Sequence, residues 1–119
     1  MEKSLGEKAE AFAEKYLVGQ GMRLIERNFR SKMGEIDLIM LDESAHSQSL
    51  VFVEVRYRKN SCFGGAAASV DKKKQQKIIK TAQYYLAWHR QYAEVDCRFD
   101  VISIQSDQEL MWIKNAFNA

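Results

Sequence analysis

A chain of 119 residues carrying a formal charge of +2, with 46% hydrophobic and 29% charged residues, has room for one folded domain and excludes a disordered chain. No apolar run approaches the roughly 18 residues of a membrane span, and the N-terminal MEKSLGEKAEAF lacks the basic-then-apolar order of a signal peptide, so a cytoplasmic protein is expected. Cys62 and Cys97 sit in unlike contexts and only two histidines accompany them, which makes a poor zinc site and leaves free thiols.

The first predicted element is a helix over 4–18. Ser4 followed by Glu7 fits a capping box. Ala9, Phe12, Ala13, Tyr16 and Leu17 recur at helical spacing, and Glu7, Glu10 and Glu14 form a second line along the same helix. Gly19 and Gly21 end it. Residues 22–29 read as a strand and 30–34 as a turn. The run EIDLIML, 35–41, is a strand with apolar residues on both faces, hence central and covered. A polar hairpin loop at 42–49 leads to LVFVEVRY, 50–57, which is again apolar on both faces. The small-residue stretch within 58–70 reads as a mobile loop. A long helix is predicted over 71–90, capped by Asp71. Ile78, Ala82, Tyr85, Leu86 and His89 lie on one face, and Lys73, Lys77, Lys80 and Tyr84 on another. Tyr84, Tyr85 and Trp88 read as core and half-core residues. A strand at 98–104 and a short edge strand at 110–113 complete the chain. This order predicts an α/β fold with a mixed central sheet flanked by helices. The first three strands pair as hairpins and the long helix crosses over between parallel neighbours.

Chemistry enters through carboxylates in apolar strands. Asp37 shares a face with Ile39 and Leu41, and Glu54 shares one with Leu50 and Phe52. A carboxylate so placed is costly unless paired, hydrogen-bonded or bound to metal. Brought together, two of them resist joint ionisation, and a divalent cation relieves the conflict. The pattern is E-x-D (Glu35, Asp37) on one strand and E-x-R (Glu54, Arg56) on the next. Hard oxygen ligands suit Mg²⁺ or Mn²⁺. Arg56 could hold a phosphate but stays protonated, so it is a poor base. Three readings stay open on these residues: metal-dependent phosphodiester chemistry, a structural salt-bridge network of Asp37, Glu54 and Arg56, and binding without catalysis.

A basic supply lies just downstream. Arg56, Arg58, Lys59, Lys72, Lys73, Lys74, Lys77 and Lys80 fall between positions 56 and 80. Arg58, Lys59, Lys72, Lys73 and Lys77 are candidates for binding a nucleic-acid backbone, with Gln76 in reach of the same ligand. An ordinary solvated lysine face is the plain alternative.

The runs GEKAEAFAEKYLVGQGMRLIERNFRSKMGEIDLIM, LVFVEVRYR and RFDVISI, with the terminal WIKNAF, closely resemble the bacterial UPF0102 family, also called the YraN family. The resemblance implies a restriction-endonuclease-like core similar to archaeal Holliday junction resolvases. It implies a Mg²⁺- or Mn²⁺-dependent nuclease acting on DNA, branched DNA included, as a homodimer. It implies metal ligands at Glu7 of GEKAE, Asp37 of GEIDLI and Glu54 of FVEVR, with Glu35 supporting Asp37 and Gln76 or Lys73 adding a polar group. Arg56 stands where active enzymes of that superfamily commonly carry lysine, which loses a proton more readily. A non-catalytic nucleic-acid-binding module or a protein-partner scaffold on the same fold are the alternatives.

Overall fold

The computed structural model describes residues 4–58 and 70–119. Ser4 caps helix α1 (Leu5–Gly19): its hydroxyl accepts the Glu7 N–H at 3.1 Å, and the Glu7 carboxylate accepts the Ser4 N–H at 3.1 Å. The small residues Ala9 and Ala13, with Leu17, form the buried stripe that lets the helix lie close on the sheet. Strands β1 (Met22–Ser31), β2 (Gly34–Asp42) and β3 (Ser49–Arg58) follow, then helix α2 (Lys72–Trp88), a single 3-10 turn (Arg90–Tyr92), and strands β4 (Asp96–Gln105) and β5 (Leu110–Phe117).

The strands form one sheet in the order β1-β2-β3-β4-β5, antiparallel throughout except for the parallel β3–β4 pair that α2 connects. The expected mixed sheet flanked by helices is thus what the chain forms. Two cores result, one under each helix. Ile39, Leu41, Leu50, Phe52, Phe99 and Val101 pack with Ile78, Ile79, Ala82 and Tyr85 of α2. Leu38, Met40, Val51, Val53, Ile102 and Ile104 pack with the α1 stripe. Each such side chain contributes about 1.5–3 kcal/mol on burial. This explains why β2 and β3 are apolar on both faces.

One strand breaks its own alternation. Ile36 belongs to the α2-side core and Leu38 to the α1-side core, although residues two apart normally share a face. The irregularity surrounds Asp37. Opposite it on β1, Asn28 adopts a left-handed backbone (φ 51°) between the pairs Arg27↔Leu38 and Phe29↔Ile36. Asparagine tolerates that region better than most residues. The β1–β2 turn is pressed against α2: a Cβ on Gly34 would lie 3.1 Å from Thr81 Oγ1 and 3.3 Å from Lys77 Cβ.

Two expectations need correction. Strand β5 does not stop at 113 but runs to Phe117, whose ring stacks on Phe99 at 5.0 Å. The polar Lys114 and Asn115 disguise it, because Asn115 (φ 52°) sits where the β4–β5 register shifts. Its N–H is taken by the fully buried Asp100, which also accepts from Trp112 Nε1 (3.0 Å) and Arg98. Of the three aromatics read as core and half-core, only Tyr85 is buried; Tyr84 is 43% and Trp88 71% exposed. At about 100° per residue, positions 84 and 88 turn away from the stripe of Ile78, Ala82 and Tyr85. Cys97 is a free thiol. Among the described residues no helix is long and apolar enough to cross a membrane. The expected mobile loop, apart from Arg58 and Val70, lies outside the described residues, as do Lys59 and Cys62.

Candidate active site

The β2–β3 ladder runs from Asp42↔Ser49 to Leu38↔Val53 and stops. Beyond it the Asp37 side chain takes the place of a backbone carbonyl: its Oδ2 accepts the Val55 N–H at 2.8 Å. The splayed strand end therefore holds Asp37 against β3, beside Glu54. Glu54 is 5% exposed and lies on the α2 side of the sheet, as its alternation with Leu50 and Phe52 requires. Lys74 of α2 places its Nζ 2.8 Å from Glu54 Oε2, and Arg56 Nη1 lies 3.6 Å from the same oxygen.

Burial, and then the charge of Glu54, push the Asp37 carboxyl up to about 8; the Val55 N–H opposes this, while a hydrogen bond shared with Glu54 and the charge of Glu10 add to it. The shift favours the protonated form of Asp37 beside ionised Glu54. The half-buried Asp37 and the buried Glu54 are here reconciled by a proton on the first and by Lys74 and Arg56 beside the second.

Helix α1 contributes Glu10. Burial, then the charge of Glu35, raise its carboxyl, with Glu54 and Glu7 adding and a hydrogen bond from Asn28 opposing. With its amide nitrogen turned toward the carboxylates, Asn28 donates to Glu10 Oε1 at 2.9 Å and to Glu35 Oε1 at 3.3 Å. Glu35 also meets Arg30 at 3.6 Å. It stands beside Glu10 and Asn28. Glu7, expected as the α1 ligand, is exposed in the first turn and its carboxylate accepts the Ser4 N–H in the capping box. Between α1 and β1 an open cleft of about 630 Å³ is lined by Glu7, Glu10, Glu14, Arg27, Asn28 and Leu38, among others.

Among the described residues no three His, Cys, Asp or Glu side chains converge closely enough to hold a metal ion. The Asp37–Glu54 pair nonetheless fits a divalent cation in kind. Its donors are hard oxygens, and the Asp37 carboxyl is raised by burial and then by the charge of Glu54, both of which such an ion would offset. Mg²⁺ in particular takes one or two carboxylates and fills its remaining positions with water and phosphate.

The basic candidates divide by exposure. Lys72, Lys73, Gln76 and Lys77 are exposed along the start of α2, and Arg58 is half-buried at the end of β3. Lys74, the cation that reaches the site, was hidden in a run of three lysines. Its signal was phase: positions 74, 78, 82 and 85 lie on one side of the helix, so the stripe that buries Ile78, Ala82 and Tyr85 also aims Lys74 at the sheet. A second polar network lies at the opposite end of the central strands. Arg98 of β4 pairs with Asp42 of β2 at 2.9 Å and with Asp100 at 3.0 Å.

Fold and site together define a small mixed α/β protein with an acidic pair, one member buried and one half-buried, at the splayed end of its central strands and a lysine-rich helix beside it. The profile described as "Uncharacterised protein family UPF0102" matches residues 9–104. A UPF0102 protein of Alcanivorax borkumensis is 47% identical over 119 residues, covering 97% of this chain and 92% of the relative. One of Stutzerimonas stutzeri is 48% identical (98% and 96% covered), and one of Coxiella burnetii 49% identical (94% and 90% covered). The chain belongs to the UPF0102 family. Among solved structures, Pyrococcus furiosus SfsA in complex with Ca²⁺ matches with a TM-score of 0.27 at 15% identity, over 92% of this chain and 62% of that one. A likeness that low carries no argument about site or activity.

Proposed function

We propose that this chain is a divalent-metal-dependent nuclease that hydrolyses DNA phosphodiester bonds. The observation that carries the reading is the pairing of half-buried Asp37 with buried Glu54, whose repulsion is met by a proton on the one and by Lys74 and Arg56 beside the other. Neither group is a comfortable structural element, since adjacent carboxyl groups drawn out of water cost stability unless something binds them. Mg²⁺ or Mn²⁺, held by Asp37 and Glu54, would supply a water of lowered pKa and charge neutralisation on the phosphate. Glu10, one helical turn beyond the capping Glu7 and within electrostatic reach of Asp37 and Glu54, would orient that water. Arg56 remains a guanidinium and clamps phosphate rather than moving protons. Lys74 is the amine in the site, and takes the part that an E-x-K lysine would have taken. The exposed Lys72, Lys73 and Lys77 hold the flanking backbone. On such a substrate the protein would work in the cytoplasm.

The test is Mg²⁺- or Mn²⁺-dependent cleavage by wild type, Asp37→Ala and Glu54→Ala purified in parallel. Loss of cleavage in both variants is expected. Equal cleavage by all three preparations means the carboxylates do not carry the activity. A second reading, a binding module without turnover, is favoured by the way Lys74 and Arg56 already satisfy Glu54. It expects salt-dependent DNA binding that survives Glu54→Ala and weakens when Lys72, Lys73 and Lys77 are neutralised.

A further inference from the structure

Helix α2 has an outward face that the acidic site does not use. Lys73, Lys77, Lys80, Tyr84 and Trp88 follow at steps of three and four residues, so they form one line along the helix, and all five are exposed. The line changes character along its length, from cationic at the end near Glu54 to aromatic at the other. Trp88 is 71% exposed, the most exposed of the large apolar side chains among the described residues. It is not stray. Its ring meets Tyr84 edge-on at 6.4 Å, and Tyr84 in turn meets Phe29 at 6.2 Å. Phe29 packs on the α2-side core. The half-buried ring thus supports two exposed ones, which leaves Trp88 with an open surface on a firm base.

We infer that the outer face of α2 binds an unpaired strand of nucleic acid, with Trp88 and Tyr84 stacking on bases and Lys73, Lys77 and Lys80 tracking the phosphates. Charge complementarity selects an anionic partner, and the exposed rings select one that offers planar apolar groups. A duplex satisfies only the first condition, because its bases are stacked on each other; a single strand satisfies both. From Lys74, which holds Glu54, to Trp88 the helix rises about 21 Å at 1.5 Å per residue. That reach places the stacked bases at most about six nucleotides from the carboxylates, taking 3.4 Å per nucleotide as the shortest spacing. The inference rests on the nuclease reading only for what happens at those carboxylates. It then names the substrate form: DNA in which an unpaired strand adjoins the phosphodiester to be cut.

The experiment separates the two claims by removing metal. In EDTA, intrinsic tryptophan fluorescence and anisotropy of a labelled oligothymidine would be followed for wild type, Trp88→Ala, Trp88→Phe and Tyr84→Ala. A mixed-sequence duplex of equal length is the comparison. Single-strand binding should quench wild-type fluorescence. Trp88→Ala should abolish the quench and weaken single-strand binding between about fivefold and about 150-fold, the range for loss of one stacked base. Tyr84→Ala should weaken it less, Trp88→Phe least, and duplex binding should move little in any of them. The inference is overturned if wild type binds neither strand form or both equally, or if Trp88→Ala leaves single-strand affinity unchanged. It is also overturned if sedimentation shows a dimer that Trp88→Ala dissolves, since the face then belongs to a second copy. Absence of cleavage with Mg²⁺ or Mn²⁺ would remove the nuclease reading and leave this titration standing.

Discussion

Replacing Asp37 by asparagine should make the metal-free protein more stable at neutral pH. Folding moves this carboxyl from an ordinary 3.8 to about 8, by burial first and the charge of Glu54 second. The folded chain therefore holds a proton that the unfolded chain releases, and stability is lost as the pH rises through that interval. At about 1.4 kcal/mol per tenfold change in proton affinity, the loss by pH 7 is on the order of 4 kcal/mol, a large part of the 5–15 kcal/mol typical of a domain. Asparagine keeps the shape and an oxygen for the Val55 N–H, and exchanging the carboxyl proton shared with Glu54 for an amide N–H costs about 1 kcal/mol. A net gain of about 3 kcal/mol is expected near pH 7, shrinking toward pH 4. Glu10, also raised by burial and by Glu35, adds to the wild-type fall at the acidic end. Lys74 and Arg56 face Glu54 and stay with it in both proteins. The assay is urea unfolding of wild type and Asp37→Asn in EDTA from pH 4 to 8.5. Adding Mn²⁺ at pH 8 should then stabilise wild type alone, by about 2.7 kcal/mol at a hundred times its dissociation constant. If the variant tracks wild type at every pH, no repulsion is stored at Asp37, and the argument for a cation at this pair falls with it.

Lys74→Ala should lower cleavage by one to two orders of magnitude while Lys73→Ala, on the outer face, changes binding and its salt dependence; equal effects on turnover would deny Lys74 its place in the site. The two α1 carboxylates should divide cleanly. Glu7→Ala is expected to cost about 0.5–2 kcal/mol of stability through the lost cap and to leave metal-dependent turnover intact, and Glu10→Ala to do the reverse, as read by thermal melts and single-turnover kinetics. Gly34→Ala should destabilise by about 1–3 kcal/mol in urea, because the new methyl would sit 3.1 Å from Thr81 Oγ1 and 3.3 Å from Lys77 Cβ.

The residues that were legible in the sequence are those whose environment is local. Ser4 and Glu7 announce the start of α1 by spacing alone. Asp37 and Glu54 stand out because every neighbour on β2 and β3 is apolar. The choice between Glu7 and Glu10 was not legible, since both lie on one helical line. What separates them is long-range: the left-handed Asn28 on β1 brings an amide to Glu10, while the cap occupies Glu7. Lys74 was readable in principle from the phase of Ile78 and Ala82, but three consecutive lysines obscure which one faces inward. Trp88 misled for the opposite reason, because a large apolar ring on an amphipathic helix is ordinarily packed, and here its position turns away from the stripe that meets the sheet.

Arg98 spans further than its own strand. It sits on β4 and grips Asp42 on β2, with β3 running between them. The bridge can form only when β2 against β3 and β3 against β4 are both correctly aligned, one pair antiparallel and the other parallel. A slip of a single residue in either would turn Asp42 or Arg98 to the wrong side of the sheet. The first of these alignments also decides whether Glu54 arrives beside Asp37. An arginine at the far end of the strands thus acts as a proofreader for chemistry it never touches, and its loss would surface as a site assembled out of step.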